Sequence, residues 1–82
     1  ASLGNLGVIA MTRGDLDEAE RLFEQNLTIE REIGHREGQA TSLTNLGIIV
    51  EKRGDLDEAE RLFEQSRAIK REIGLPVDEE SD

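Results

Sequence analysis

Few residues in this chain have the type and spacing to do chemistry. The single histidine, His35, sits in a short stretch bounded by Gly34 and Gly38, and a general base needs a neighbouring acid that holds its ring in place. A glycine-flanked backbone holds nothing in place, so no nucleophilic triad is expected. Acidic residues cluster at Asp15, Asp17 and Glu18 and again at Asp55, Asp57 and Glu58, which invites comparison with a calcium loop. The loop's ligand spacing, with its central Gly and terminal Glu, is missing, and these acids read as helix caps. There is no cysteine, hence no thiolate nucleophile, disulfide or sulfur-ligated metal. Gly4-Asn5-Leu6-Gly7 is glycine-rich, but no strand precedes it and it lies inside a helical pattern, so it is no phosphate cradle. The expectation is a chain that is not an enzyme and takes no cofactor and no metal.

Composition narrows the partners. The chain has 82 residues, with 10 Lys+Arg against 19 Asp+Glu and a net charge of −9, which suits one small domain. Nucleic acid and anionic lipid are bound mainly through Lys and Arg that neutralise phosphates, so neither nucleic acid nor a membrane is expected as partner. No apolar run approaches the roughly 18 residues of a spanning helix. The lack of cysteine fits a reducing compartment, and the expected location is cytoplasmic. The opening Ala1-Ser2-Leu3 carries neither a charged region nor a cleavage pattern, and the chain reads as a piece of a longer protein.

The elements that position these residues come from an internal repeat. Residues 2–34 align with 42–74 at a shift of about 40, and most aligned positions are identical. The block RGDLDEAERLFEQ at 13–25 recurs unchanged at 53–65. Within each copy the apolar residues fall at helical spacing, first Leu3, Leu6, Ile9 and Ala10, then Leu16, Ala19, Leu22, Phe23, Leu27, Ile29 and Ile33. Two helices per copy follow, separated at Arg13-Gly14-Asp15 and Arg53-Gly54-Asp55, where Gly closes one helix and Asp caps the next. Asp15 with Glu18, and Asp55 with Glu58, have capping-box spacing. Asp17 with Arg21, and Asp57 with Arg61, are spaced for ion pairs one turn apart. The second helix of each copy is expected to run to about Ile33 or Ile73 and to stop at Gly34 or Gly74.

The expected organisation is therefore all-α, with four helices in two tandem helix-turn-helix repeats. The first repeat covers 1–34, a linker and the start of the next helix cover 35–40, and the second repeat covers 41–74. Within that connection, the stretch 34–38 with its two glycines reads as a tight linker and a candidate hinge. Residues 75–82 turn abruptly acidic and are expected to be disordered.

The spacing Leu43-x-x-Leu46-Gly47-x-x-Val50 followed by Ala59-x-x-x-Phe63 resembles the tetratricopeptide repeat, as does Leu3-x-x-Leu6-Gly7-x-x-Ala10 with Ala19 and Phe23. Gly7 and Gly47 are expected to face Ala19 and Ala59 so that two antiparallel backbones approach closely. The family's large aromatics are replaced by Leu3, Leu43, Ala10 and Val50, and its proline near Arg31 and Arg71 is absent. The second helix can then continue, which matches the longer repeat of about 40 residues. That length and the Asn-Leu-Gly segments at 5–7 and 45–47 make the chain similar to the subclass of kinesin light chains, Pins-type adaptors and bacterial regulators.

The resemblance implies an α-solenoid fragment whose first helices line a concave face that takes an extended peptide or a partner helix. On it, Asn5 and Asn45 match the asparagines that hold a peptide backbone, a task suited to an amide that both donates and accepts. Val8 with Thr12, and Ile48 with Lys52, follow on the same face, and Thr41 begins it in the second repeat. The implied partner is a protein or peptide, and the net charge favours a neutral or basic one. Repeat arrays usually need about three units to cover their ends. With two, Leu3 and the flank of the first helix, and Leu62, Ile69 and Ile73, are expected to stay partly uncovered. That motivates the competing expectation of a self-associating homo-oligomer, built by stacking or by exchanging helices.

Overall fold

A computed structural model describes residues 2–75, and the expectation about the acidic tail lies outside the described residues from 76 onward. Four helices follow one another, α1 (Leu3–Thr12), α2 (Leu16–Glu32), α3 (Arg36–Lys52) and α4 (Leu56–Ile73), with no strand among the described residues. The Cα atoms fill a slab of 31 × 30 × 16 Å, and its thin dimension is about two packed helices deep. Contacts run from each helix to the next, α1 on α2, α2 on α3 and α3 on α4.

Each helix end is set locally. Gly14 and Gly54 take φ of 82° and 91°, a left-handed conformation that costs glycine nothing and other residues a steric penalty. The Gly14 amide donates to the Met11 carbonyl at 3.0 Å and the Asp15 amide to the Ala10 carbonyl at 2.9 Å, so two end carbonyls of α1 are satisfied. Gly54 and Asp55 do the same for Glu51 and Val50 at 2.9 and 3.0 Å. The Asp15 carboxylate then accepts from the Glu18 amide at 3.3 Å, and that of Asp55 from the Glu58 amide at 3.2 Å. The reciprocal half of the capping box is not made, because the Asp15 amide is already spent on Ala10. Glu18 turns instead to Arg21, at 2.6 Å, and Glu58 to Arg61. The one-turn pairs expected for Asp17 with Arg21 and Asp57 with Arg61 are therefore replaced by these closer ones.

The connection between the repeats is shorter than the linker read from the sequence. Arg36, Glu37 and Gly38 already belong to α3, while Gly34 ends α2 at a φ of 71°. Gly38 lies in the first turn of α3, where a Cβ would meet the end of the Glu30 side chain, which would have to shift. His35 Nδ1 lies 2.6 Å from Glu30 Oε1, so the imidazole does have a neighbouring acid, contrary to the expectation from its glycine flanks, because Glu30 reaches it from the preceding helix.

The core is a single cluster in which Ala19, Phe23, Ala40, Leu43 and Ile49 are sealed from solvent. Gly7 and Gly47 allow close approach as expected, but the partner differs. A Cβ on Gly7 would stand 2.8 Å from Phe23 Cζ, and one on Gly47 2.6 Å from Phe63 Cε1. Each phenylalanine ring lies flush on the glycine of the other helix, with the alanines buried alongside. Ile69, expected to be partly open, is buried at 8% exposure, whereas Leu62 is half-buried and Ile73 exposed.

These contacts separate two kinds of glycine. Gly47→Ala overpacks the ring contact by about 1–3 kcal/mol, more than the gain of about 1 kcal/mol in helix propensity, so urea denaturation is expected to show net destabilisation. At Gly4 the nearest atom to a Cβ is Ser2 Oγ at 3.9 Å. Gly4→Ala is expected to stabilise by about 0.5–1 kcal/mol in the same assay.

Candidate peptide-binding face

With about 100° of rotation per residue, Thr41, Asn45, Ile48 and Lys52 fall within about 60° of the circumference of α3. Its buried residues, Gln39, Ala40, Ser42, Leu43, Leu46, Gly47 and Ile49, occupy the opposite side. Thr41 and Lys52 are exposed, and Asn45 and Ile48 half-buried. Asn5, Val8 and Thr12 form the equivalent stripe on α1 and all three are exposed. Each repeat thus carries a continuous stripe of one carboxamide, one β-branched apolar residue and a polar residue at the helix end.

Several polar side chains of α3 are already engaged in hydrogen bonds. Thr41 Oγ1 donates back to the Glu37 carbonyl at 3.2 Å. Thr44 Oγ1 and Ser66 Oγ lie 2.7 Å apart, and Ser66 Oγ donates to the Ala40 carbonyl at 2.8 Å. Ser42 Oγ accepts from Asn26 Nδ2 at 2.9 Å. Among the described residues, the side chains of Asn5 and Asn45 make no such bond, nor do those of Thr12 and Lys52, and Asn5 is exposed while Asn45 is half-buried. The stripes lie apart from four depressions of the surface, none of which is lined by any of the seven residues.

The two stripes are held by the contact between repeats. Leu27 of α2 is buried at 7% exposure, in the region lined also by Leu43 and Leu46. Gln39 Nε2 donates to the Glu30 carbonyl at 3.2 Å at one end of the contact. At the other end Arg53 donates to Glu20 at 2.5 Å and also to Asp17. These carboxylates hold the Arg53 guanidinium pKa above its usual value, Glu20 contributing most. Elsewhere the hydrogen bond from Arg21 lowers the Glu18 carboxyl pKa, and bonds from Arg71 and then Arg67 lower that of Glu64. Sequence reasoning missed the Arg53 clasp, because its partners lie 33 and 36 residues away and only tertiary contact unites them.

No described helix is long and apolar enough to cross a membrane, and no three metal-ligating side chains of the described residues come together. A family profile described as tetratricopeptide repeat matches residues 1–72. The chain belongs to the tetratricopeptide repeat family. Such repeats are generally protein–protein interaction modules, scaffolds rather than catalysts. No significant match was found among curated proteins or among solved structures.

The unbonded carboxamides give a direct test of whether the asparagines serve the fold. Asn45→Ala is expected to leave stability unchanged or raise it by up to about 0.5 kcal/mol, since Ala is the better helix former and no bond is lost. A loss above about 1 kcal/mol in urea denaturation would instead assign Asn45 a structural hydrogen bond.

Proposed function

We propose that this tetratricopeptide pair binds an extended peptide along its first helices, with Asn5 and Asn45 bracketing peptide units of the ligand backbone. The observation that carries the reading is the pair of carboxamides, equivalent in the two repeats, unbonded to the described residues and opposite the buried side of α3. An amide side chain matches a peptide unit donor to acceptor without reading its side chain. Val8 and Ile48 offer apolar contact beside it, and Thr12, Thr41 and Lys52 a polar rim. The net charge of −9 favours neutral or basic segments. The setting this implies is a cytoplasmic scaffold or regulator.

A displayed library of unstructured ten-residue peptides, selected against the chain, supplies probes for the test (~3.3 Å per residue gives each the reach to cross both first helices). Selected peptides are expected to lose at least about tenfold in affinity on Asn5→Ala with Asn45→Ala, helicity being unchanged. Equal binding to the double variant would overturn the assignment.

A second reading has its own observation. Leu6 and Ile9 are 40% and 46% exposed, while their counterparts Leu46 and Ile49 are 5% and 0% exposed beneath α2. In this reading the chain is a structural repeat that associates with itself to cover them, and it takes no external peptide.

A further inference from the structure

The contact between the repeats has two sides, and each repeat carries its own version of both. On one side α2 presents Asp17, Glu20 and Leu27, and on the other α3 presents Leu46, Ile49 and Arg53. At the front of the molecule, Leu6, Ile9 and Arg13 hold the positions of Leu46, Ile49 and Arg53. The apolar pair is exposed there, and the Arg13 side chain has no hydrogen bond or ion pair among the described residues. At the back, Asp57 and Glu60 hold the positions of Asp17 and Glu20 on α4, with side chains equally unpaired among the described residues. Both line a depression of about 580 Å³ with Arg61, Glu64 and Arg67. Phe63 is half-buried where Phe23, covered by the following repeat, is 1% exposed.

We propose that the front of one copy docks on the back of a second copy of this chain, with Arg13 of one seated between Asp57 and Glu60 of the other. Leu6 and Ile9 then lie against α4 beside Phe63. The proposal rests on the self-association reading and gives it a direction. The contact continues the one between repeats, and head-to-tail docking sets Arg13 against the counterparts of the two carboxylates that hold Arg53. Front to front and back to back bring like surfaces together and reproduce neither the charge pairing nor the apolar packing of the inner contact. Because the two surfaces differ, a docked pair still carries one free front and one free back, and assemblies grow past a dimer with concentration. Arg67 replaces Leu27 and Lys70 replaces Glu30, so the docked contact is more polar and weaker than the inner one. Arg67 pairs with Glu64 of its own helix at 3.3 Å.

Sedimentation velocity of the whole chain across a concentration series, with helicity recorded on the same samples, tests the proposal. The average mass is expected to climb past that of a dimer. Arg13→Glu alone and Glu60→Arg alone are each expected to weaken association at least about tenfold with helicity retained. An equimolar mixture of the two is expected to restore it, because every contact between unlike copies again pairs opposite charges. Arg67→Leu, which supplies the missing counterpart of Leu27, is expected to strengthen association while leaving it sensitive to Arg13→Glu. A wild-type chain that stays monomeric overturns the self-association reading and this proposal together. A dimer that ignores Glu60→Arg, through front-to-front contact or exchanged helices, overturns the proposal alone.

Discussion

In each repeat the seating of a phenylalanine ring on a glycine, Phe23 on Gly7 and Phe63 on Gly47, sets how closely the two helices approach. Interhelical distance is governed by the side chains at the crossing, and here one side of the crossing is bare backbone. The ring fills that space, so Ala19 and Ala59 can be buried at 0% and 3% exposure beside it without leaving a void. A larger residue at either glycine would part the helices, and α2 would then no longer present its far side to α3 in register. The position of Leu27 over Leu43 and Leu46, and the reach of Arg53 to Glu20, depend on that register.

The contact between the repeats combines apolar and polar groups in an ordered way. Leu27, Leu43 and Leu46 exclude water at its middle, Gln39 and Ser42 take directed hydrogen bonds within it, and the Arg53 clasp closes its edge. Both charged partners at that edge remain reached by water, so screening limits what they add to stability. Their contribution is orientation, since an arginine fork between two carboxylates fixes rotation about the contact more sharply than apolar packing does.

What could be read from the amino acids depended on how far apart the interacting residues lie. Helix boundaries at Gly14, Gly34, Gly54 and Gly74, and caps at Asp15 and Asp55, are decided within a few residues and were legible. The partner of Arg21 was not, because Asp17 and Glu18 are both within reach of it on the helix surface, and in both repeats the arginine takes the nearer glutamate three residues back. Gly38 read as part of the linker because two glycines so close together suggest a break, whereas the start of α3 at Arg36 is set by the packing of the whole helix. The stripe Thr41, Asn45, Ile48 and Lys52 was legible as helical spacing, while the binding role of Asn5 and Asn45 rested on family resemblance. Identical residues in different surroundings, such as Ile9 and Ile49, cannot be told apart by local pattern at all.

That last asymmetry bears on motion. Helix α1 spans only 10 residues, buries Gly7 and Ala10, and leans chiefly on α2, whereas α3 spans 17 residues and is packed by helices on two sides. Local opening is cheapest where buried contacts are fewest, which singles out α1 as the helix expected to open first. It also carries Asn5 and Val8 on one flank and Leu6, Ile9 and Arg13 on another. Whatever engages either flank must first hold α1 in place, and an occupant of one flank therefore reduces the ordering entropy owed by an occupant of the other. Occupants of the two proposed surfaces would thus be linked through the least anchored helix, without any change in the shape of the rest.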